Sequence, residues 1–435
     1  MIDFPTTSKR VFSLSSLVST AVSRLDKLRI FDAKDYLNLN PDVASAGVPA
    51  AEHAFYHGAN EGRPLFSRAR LARALGELVT EDAFNGAVFG TNQRGVEPAL
   101  TAVNIYVSSL GNVFMNEIAG DLAADLRHAG INVVMLNETA DIDTSRVPAV
   151  FVAPHEFFAL GRGKRWMRDE IIANAFVYNT EQLQTQWFAR ALPVLMCARG
   201  ILDISSFSAR IFREAGIPSM HVEPSCGSRH VKGTEADRLH PLMRVLPEAA
   251  RDMDATFDDW DARPIDVSFF GTESPRRESI LARFAASLAP YSTCIYYRRK
   301  ALSSSDRSPF DAAMTRIAEH VSGCSKIYLN IHRDEFSYFE WHRMVRQGMA
   351  RGALVVTDPC LPHPYFKPGI HFLEEEARHI PNLLDWVLRS EDGRAKAKQL
   401  VQNALTTALS TNVQLERTRS VVDFLAAHQK KAFNA

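Results

Sequence analysis

The chain lacks most of the signatures that settle a function at sight. Its five cysteines (Cys197, Cys226, Cys294, Cys324 and Cys360) are scattered, odd in number and form no CxxC pair. That pattern argues against a disulfide framework or a thiolate zinc site and fits a reducing compartment. No apolar run approaches the roughly 18 residues that a membrane span needs. Lys9-Arg10 followed by VFSLSSLVSTAV has the outline of a signal peptide. Serines dilute its apolar run, however, and Arg24, Asp26 and Lys27 follow at once, so a cytoplasmic protein is expected. Net charge is also missing: 50 basic residues balance 50 acidic ones. No global field draws nucleic acid or an anionic membrane, and any phosphate chemistry must come from local arginines. GxGxxG and GxSxG are absent, which leaves a dinucleotide enzyme or an α/β hydrolase without support. No DxD-like pair follows a strand convincingly, so the sequence lends no support to a metal or other cofactor.

What is present reads as an α/β protein of two or three domains. Residues 1–98 are helical in pattern and lack strand alternation. Within them, Phe31–Phe66 is punctuated by Asn40-Pro41-Asp42, Gly47, Pro49, Gly58 and Gly62, each a stop or start for a short helix. His53 and His57 share an i, i+4 spacing open to a metal ion, or to packing in a small hairpin, which is the reading preferred. From Ala102, strands and helices alternate (VNIYVSS, INVVMLN, AVFVA, FVYNTEQ, ILDIS and IPSMHV), giving a doubly wound domain over 99–225. A polar stretch, 226–264, is read as an interdomain linker. A second α/β set fills 265–390, and terminal helices fill 391–435.

Three stretches of the second set carry chemistry. In SKIYLNIHRDEFSYFEWHRMVRQGMARGALVVTDPC (Ser325–Cys360), two apolar strands flank a helical stripe of Tyr338, Trp341, Val345 and Met349. Glu340, Arg343 and Gln347 fall at i, i+3 and i+7, on another face of that helix. Asn330 and His332 lie where the first strand ends, the edge at which parallel sheets bind ligands. In FFGTESPRRESI, Gly271 and Thr272 close a strand, Ser274 is placed as N-cap and Pro275 as N1. Arg276 and Arg277 then occupy the first helical turn, where the macrodipole disfavours cations. An anion such as a nucleotide pyrophosphate, held between them and the backbone amides, would explain them; solvent exposure or pairing with Glu273 and Glu278 is the alternative. In YYRRK, alternation sends Tyr297 and Arg299 to one face and Tyr296 and Arg298 to the other, either to a base and phosphates or into plain core.

FFGTESPRRESIL, YYR and SKIYLNIHRDEFSYFEWHRMVRQGMARGALVVTD, in that order and spacing, resemble the nucleotide-sugar-binding half of bacterial GT-B glycosyltransferases, over roughly residues 100–390. The resemblance implies two Rossmann-like domains facing across a cleft and metal-independent transfer of a sugar from a nucleotide-diphosphate donor to a glycan, lipid or protein. By position, Glu340 resembles the acid that holds the donor ribose and Arg343 the base that holds the diphosphate. Relatives often carry a second glutamate where this chain has Gln347, which puts the stereochemistry in doubt and leaves a catalytically inactive nucleotide-sugar or glycan-binding protein as the alternative. The acceptor base is expected in the N-terminal half. His155 or Glu156, after AVFVA, is preferred for that role, with Glu181, after FVYNT, orienting the acceptor. Donor contacts are assigned to Gly271, Thr272, Arg276, Arg277, Tyr297, Arg298, Asn330, His332, Glu340, Arg343 and Gln347. Tyr36, Asn40, Pro41, Asp42, Val43, His53, Gly58, Glu61, Gly62 and Arg63 resemble a helical module, YLxxNPDVA…HxxxxGxxEGR, found beside such transferases and in some surface proteins. This region is a candidate for peripheral membrane or homo-oligomer contact.

Overall fold

The computed structural model describes residues 17–81, 100–298 and 309–429. Lys9 and Arg10 of the signal-like stretch, and Arg299 and Lys300 of the basic strand end, lie outside the described residues. The chain divides into two compact units. One runs to Val222 and resumes at Thr418; the other spans Glu223–Arg417.

The first unit holds a six-stranded parallel sheet in the order β2-β1-β3-β4-β5-β6. Its strands are β1 (Ala102–Tyr106), β2 (Asn132–Leu136), β3 (Ala149–Val152), β4 (Ala175–Asn179), β5 (Gly200–Asp203) and β6 (Ser219–His221). β3, β4 and β5 are buried at every position, as their unbroken apolar runs require of strands covered on both faces. Val103, Ile105, Val150, Val152 and Phe176 form the centre of this core. The terminal helix Thr411–His428 returns Val421, Val422 and Leu425 to it.

The N-terminal helices belong to this unit. Asp32 and Ser67 cap the helices Ala33–Leu39 and Arg68–Thr80. The Tyr36 hydroxyl meets His53 Nδ1 at 2.8 Å, and the His53 and His57 rings lie 5.3 Å apart. His53 is thus tied into the hairpin, while His57 lies exposed beside it. Arg63 forks onto Asp42 at 2.7 and 2.8 Å, closing the loop that Gly62 turns with φ +68°.

The second unit holds a five-stranded parallel sheet, β11-β10-β9-β7-β8. Its strands are β7 (Ile265–Thr272), β8 (Thr293–Arg298), β9 (Ser325–Asn330), β10 (Leu354–Thr357) and β11 (Leu373–Glu374). The 226–264 stretch is part of this unit. Asp237 is fully buried in a capping box with Thr234 and receives both Arg316 nitrogens at 2.7 Å. Its irregular sequence fails to show this because isolated capped turns have no apolar period.

The strand order reverses between β1 and β3 in one sheet and between β7 and β9 in the other, all pairs being parallel. At such switch points the loops diverge and leave a crevice outside the strand ends. Among the described residues, no helix is long and apolar enough to cross a membrane.

Candidate functional sites at the two switch points

In the second unit, β7 ends at Gly271-Thr272 and the helix Pro275–Leu288 begins at once. Ser274 Oγ caps Arg277 N at 3.1 Å with Pro275 at N1, as the sequence implies. The expected anion between Arg276 and Arg277 does not fit their contacts. Arg277 is buried; its Nε donates to Ile331 O at 2.8 Å, its Nη1 to Thr272 O at 3.2 Å, and its Nη2 lies 3.5 Å from Glu340 Oε1. Arg276 Nη1 donates to His332 O at 2.9 Å, and its Nη2 pairs with Asp358 Oδ2 at 2.5 Å. Carbonyls just past β9 have no ladder partner, and buried carbonyls must find one. The two guanidiniums satisfy them and staple the helix start to the end of β9. Burial, with Arg343 nearby, pushes Arg277 down to about 10. Gly271 has room for no side chain: a Cβ there would sit 2.6 Å from the Phe269 ring and 3.4 Å from Arg277 Nη1.

Tyr297 is not a stacking platform. Its hydroxyl accepts from Ser274 N at 2.8 Å and donates to Ser274 O at 3.0 Å, while its ring packs on the core. Arg298 ends the outer strand β8, in register with Thr272, and its carbonyl receives Glu273 N at 2.7 Å.

The helix expected from Tyr338 starts later and is wider. Residues 338–340 are irregular; His342–Gly348 is a π-helix, continued by a 3-10 turn, Met349–Arg351, that ends at Gly352 with φ +76°. π-Turns are held by tertiary contacts and collect at functional sites. Here Gly348 lies against β10 and β9, where a Cβ would approach Val355 Cγ2 to 2.5 Å. Gln347 leaves the presumed ligand face: its Oε1 accepts from the Tyr328 hydroxyl at 2.8 Å in the core.

Glu340 and Arg343 do come together, inside the protein. Glu340 Oε1 accepts from Tyr338 at 3.1 Å, and Oε2 lies 4.0 Å from Arg343 Nη1. Burial opposes the Glu340 charge, but Arg343 and Arg277, helped by His332 and Tyr338, outweigh it and hold the carboxyl below its ordinary range. Arg343 stacks over Phe269 at 5.1 Å. His332 donates its backbone N–H to Asp358 Oδ1 at 3.0 Å, and its Nδ1 meets the same oxygen at 3.0 Å. Burial likewise opposes the Asp358 charge, while His332 and Arg276 hold its carboxyl low. Asn330 Nδ2 donates to Thr357 Oγ1 at 3.1 Å.

The remaining atoms define the site. Arg343 Nε and Nη2, Glu340 Oε2, His332 Nε2 and Asn330 Oδ1 are buried without a hydrogen-bond partner among the described residues. Native interiors rarely leave such groups unmatched. Several on adjoining residues mark a candidate site with both donors and acceptors to offer a ligand. Tyr328, Tyr338 and Asp358 belong to it unforeseen: both tyrosines read as core by period, and only the position of Asp358 at a strand end hinted at it.

In the first unit, β3 passes through Ala153 at φ 53°, ψ 66°, a left-handed conformation that costs a non-glycine residue energy. This turn starts the helix Pro154–Phe157 without a linker. It leaves His155 buried with Nε2 3.5 Å from Glu181 Oε1, while Nδ1 has no partner among the described residues. Burial, assisted by Arg190, pushes His155 down to about 3, so the imidazole is neutral. Glu181 is fixed in turn by Thr185 Oγ1 at 3.1 Å, the N-cap of the helix Gln186–Cys197. Glu156 points elsewhere: its Oε2 accepts Asn112 N at 2.8 Å, tying down the β1 loop at the start of the helix Val113–His128. Of the two base candidates, only His155 stands with Glu181.

No family model matches the chain, and no curated protein matches it. The chain is similar to several solved structures. The Anabaena protein HepE, in complex with UDP and glucose, is 10% identical with a TM-score of 0.46, covering 75% of this chain and 100% of that one. The DNA-modifying enzyme beta-glucosyltransferase, solved with and without uridine diphosphoglucose, is 12% identical with a TM-score of 0.44, covering 75% and 99%. A glycosyltransferase from Rickettsia africae is 11% identical with a TM-score of 0.40, covering 75% and 99%.

Proposed function

We propose that the protein is a glycosyltransferase that takes a sugar from a nucleotide-diphosphate donor, without a metal. The observation that carries this is the pair of buried Arg343 nitrogens that have no hydrogen-bond partner among the described residues, beside Glu340 Oε2, which has an ion pair to Arg343 but no hydrogen bond. A planar fork with free N–H groups suits a diphosphate, and a free carboxylate oxygen suits a ribose hydroxyl. Transfer itself requires an acceptor hydroxyl to lose its proton, its oxygen to bond to the anomeric carbon, and the diphosphate to leave with the electrons of the broken bond. In the second unit, Arg343 is suited to neutralise charge on a diphosphate. In the first unit, the His155 Nδ1 lone pair is suited to take a hydroxyl proton. Glu181 stabilises the imidazolium as it forms, an orienting and charge-compensating role. Arg276 and Arg277 act indirectly, by fixing the helix start and Glu340.

A second reading, binding without turnover, is favoured by Gln347, which offers an amide already committed to Tyr328 where a second carboxylate would act. The deciding experiment incubates the protein in EDTA with UDP-, GDP- and ADP-sugars and measures release of the nucleoside diphosphate. Release that Arg343→Met abolishes supports the transferase; binding without release supports the second reading.

A further inference from the structure

Trp187 is the unexplained feature of the first unit. It lies in the first turn of the helix Gln186–Cys197, where its successor Phe188 is fully buried, yet its own indole is 41% exposed. Its ring centroid is 5.9 Å from that of His155 at 53°, and the Arg190 guanidinium sits 4.7 Å from its ring centroid. A large apolar surface is thus kept in water beside a buried imidazole with an unpartnered nitrogen.

We infer that Trp187 is the acceptor platform, stacking the C–H face of a pyranose so that one of its hydroxyls reaches His155, and hence that the acceptor is a carbohydrate. This rests on the transferase reading. The chemistry favours a sugar over a lipid tail. A pyranose presents apolar C–H groups on its face and hydroxyls around its rim, matching a flat indole bordered by a guanidinium and an imidazole. An acyl chain would need a continuous apolar surface, whereas Trp187 is bracketed by polar groups. Arg190 positions the indole by its cation–π contact. Thr185 ties Glu181, which faces His155, to the start of the helix that carries Trp187.

The test uses the full chain without nucleotide. Saturation-transfer NMR and calorimetry are run with methyl pyranosides of glucose, galactose, mannose and N-acetylglucosamine and with their disaccharides. At least one saccharide is expected to bind, with transfer strongest to protons of one ring face. Trp187→Ala should weaken it at least tenfold, and Trp187→Phe should keep part of the affinity. UDP and GDP binding should be unchanged in both variants. The proposal is overturned if no saccharide binds, if Trp187→Ala binds as well as wild type, or if Trp187 instead governs cosedimentation with phosphatidylcholine–phosphatidylglycerol vesicles. Because nucleotide binding is read separately, its failure would overturn the transferase reading while leaving the saccharide result to stand or fall by itself.

Discussion

Replacing Arg343 by Met separates a ligand-binding arginine from a structural one. Methionine fills a similar volume and keeps contact with Phe269 while removing the charge. In the unliganded protein two effects oppose each other. The Glu340–Arg343 attraction across 4.0 Å is worth about 4 kcal/mol at an effective dielectric of 20. Against it stands relief of two buried, unsatisfied donors at about 1–3 kcal/mol each, while Glu340 keeps Arg277 and Tyr338 as partners. The terms nearly cancel, so the melting temperature should move by no more than about 4 °C. Binding is different. Two charge-assisted hydrogen bonds to a diphosphate are lost, a cost of about 3 kcal/mol or more, which is roughly a 100-fold weaker Kd. At a nucleotide concentration 100 times the wild-type Kd, wild type gains about 2.7 kcal/mol and the variant only about 0.4 kcal/mol. Differential scanning fluorimetry with UDP and GDP reads both quantities at once. A variant that melts far below wild type yet binds nucleotide equally well would refute the ligand role of Arg343.

Arg277→Ala should destabilise by about 3–5 kcal/mol, because it strands the Ile331 and Thr272 carbonyls and weakens the partnering of buried Glu340; chemical denaturation checks this, and a loss under 1 kcal/mol would contradict the staple. His155, neutral in the fold and held near pH 3, must bind a proton on unfolding below its ordinary value near 6.5. Its contribution is complete above that value and is lost as pH falls toward 3, at up to about 1.4 kcal/mol per pH unit. Urea titrations of wild type and His155→Gln should therefore differ in pH slope only in that window. For the same reason, donor turnover should show no acid limb from His155 between pH 5 and 8. Gly348→Ala pushes a methyl into Val355 and the π-turn, and should cost about 1–3 kcal/mol and nucleotide affinity together, read by the same denaturation and fluorimetry.

The parts of the sites that follow from chain-local rules were legible in sequence. The Ser274 cap with Pro275 at N1 needs only the S-P pair after a strand, and the ends of β3, β4 and β9 place His155, Glu181, Asn330 and His332 by apolar run length alone. What depends on partners distant in sequence was not. Arg276 and Arg277 look misplaced against a helix dipole, but carbonyls 54 and 56 residues away absorb them. Tyr297 looks like a base platform until its hydroxyl is found on the Ser274 backbone. The π-turn at His342–Gly348 has no local signature, since its register is set by Gly348 fitting against β10 and by Tyr328 drawing Gln347 inward. That shift separates Gln347 from Glu340 and Arg343, which an α-helical wheel puts together. Trp187 escaped because an aromatic beside Phe188 reads as core.

The most direct measurement is calorimetric titration of the purified full chain with UDP, GDP and ADP in the presence of EDTA. One of the three should bind at a single site per chain with micromolar affinity that falls about 100-fold in Arg343→Met. If none binds at millimolar concentration, or binding appears only when a divalent cation is restored, the unpartnered arginine is not a diphosphate site and the account is wrong at its centre.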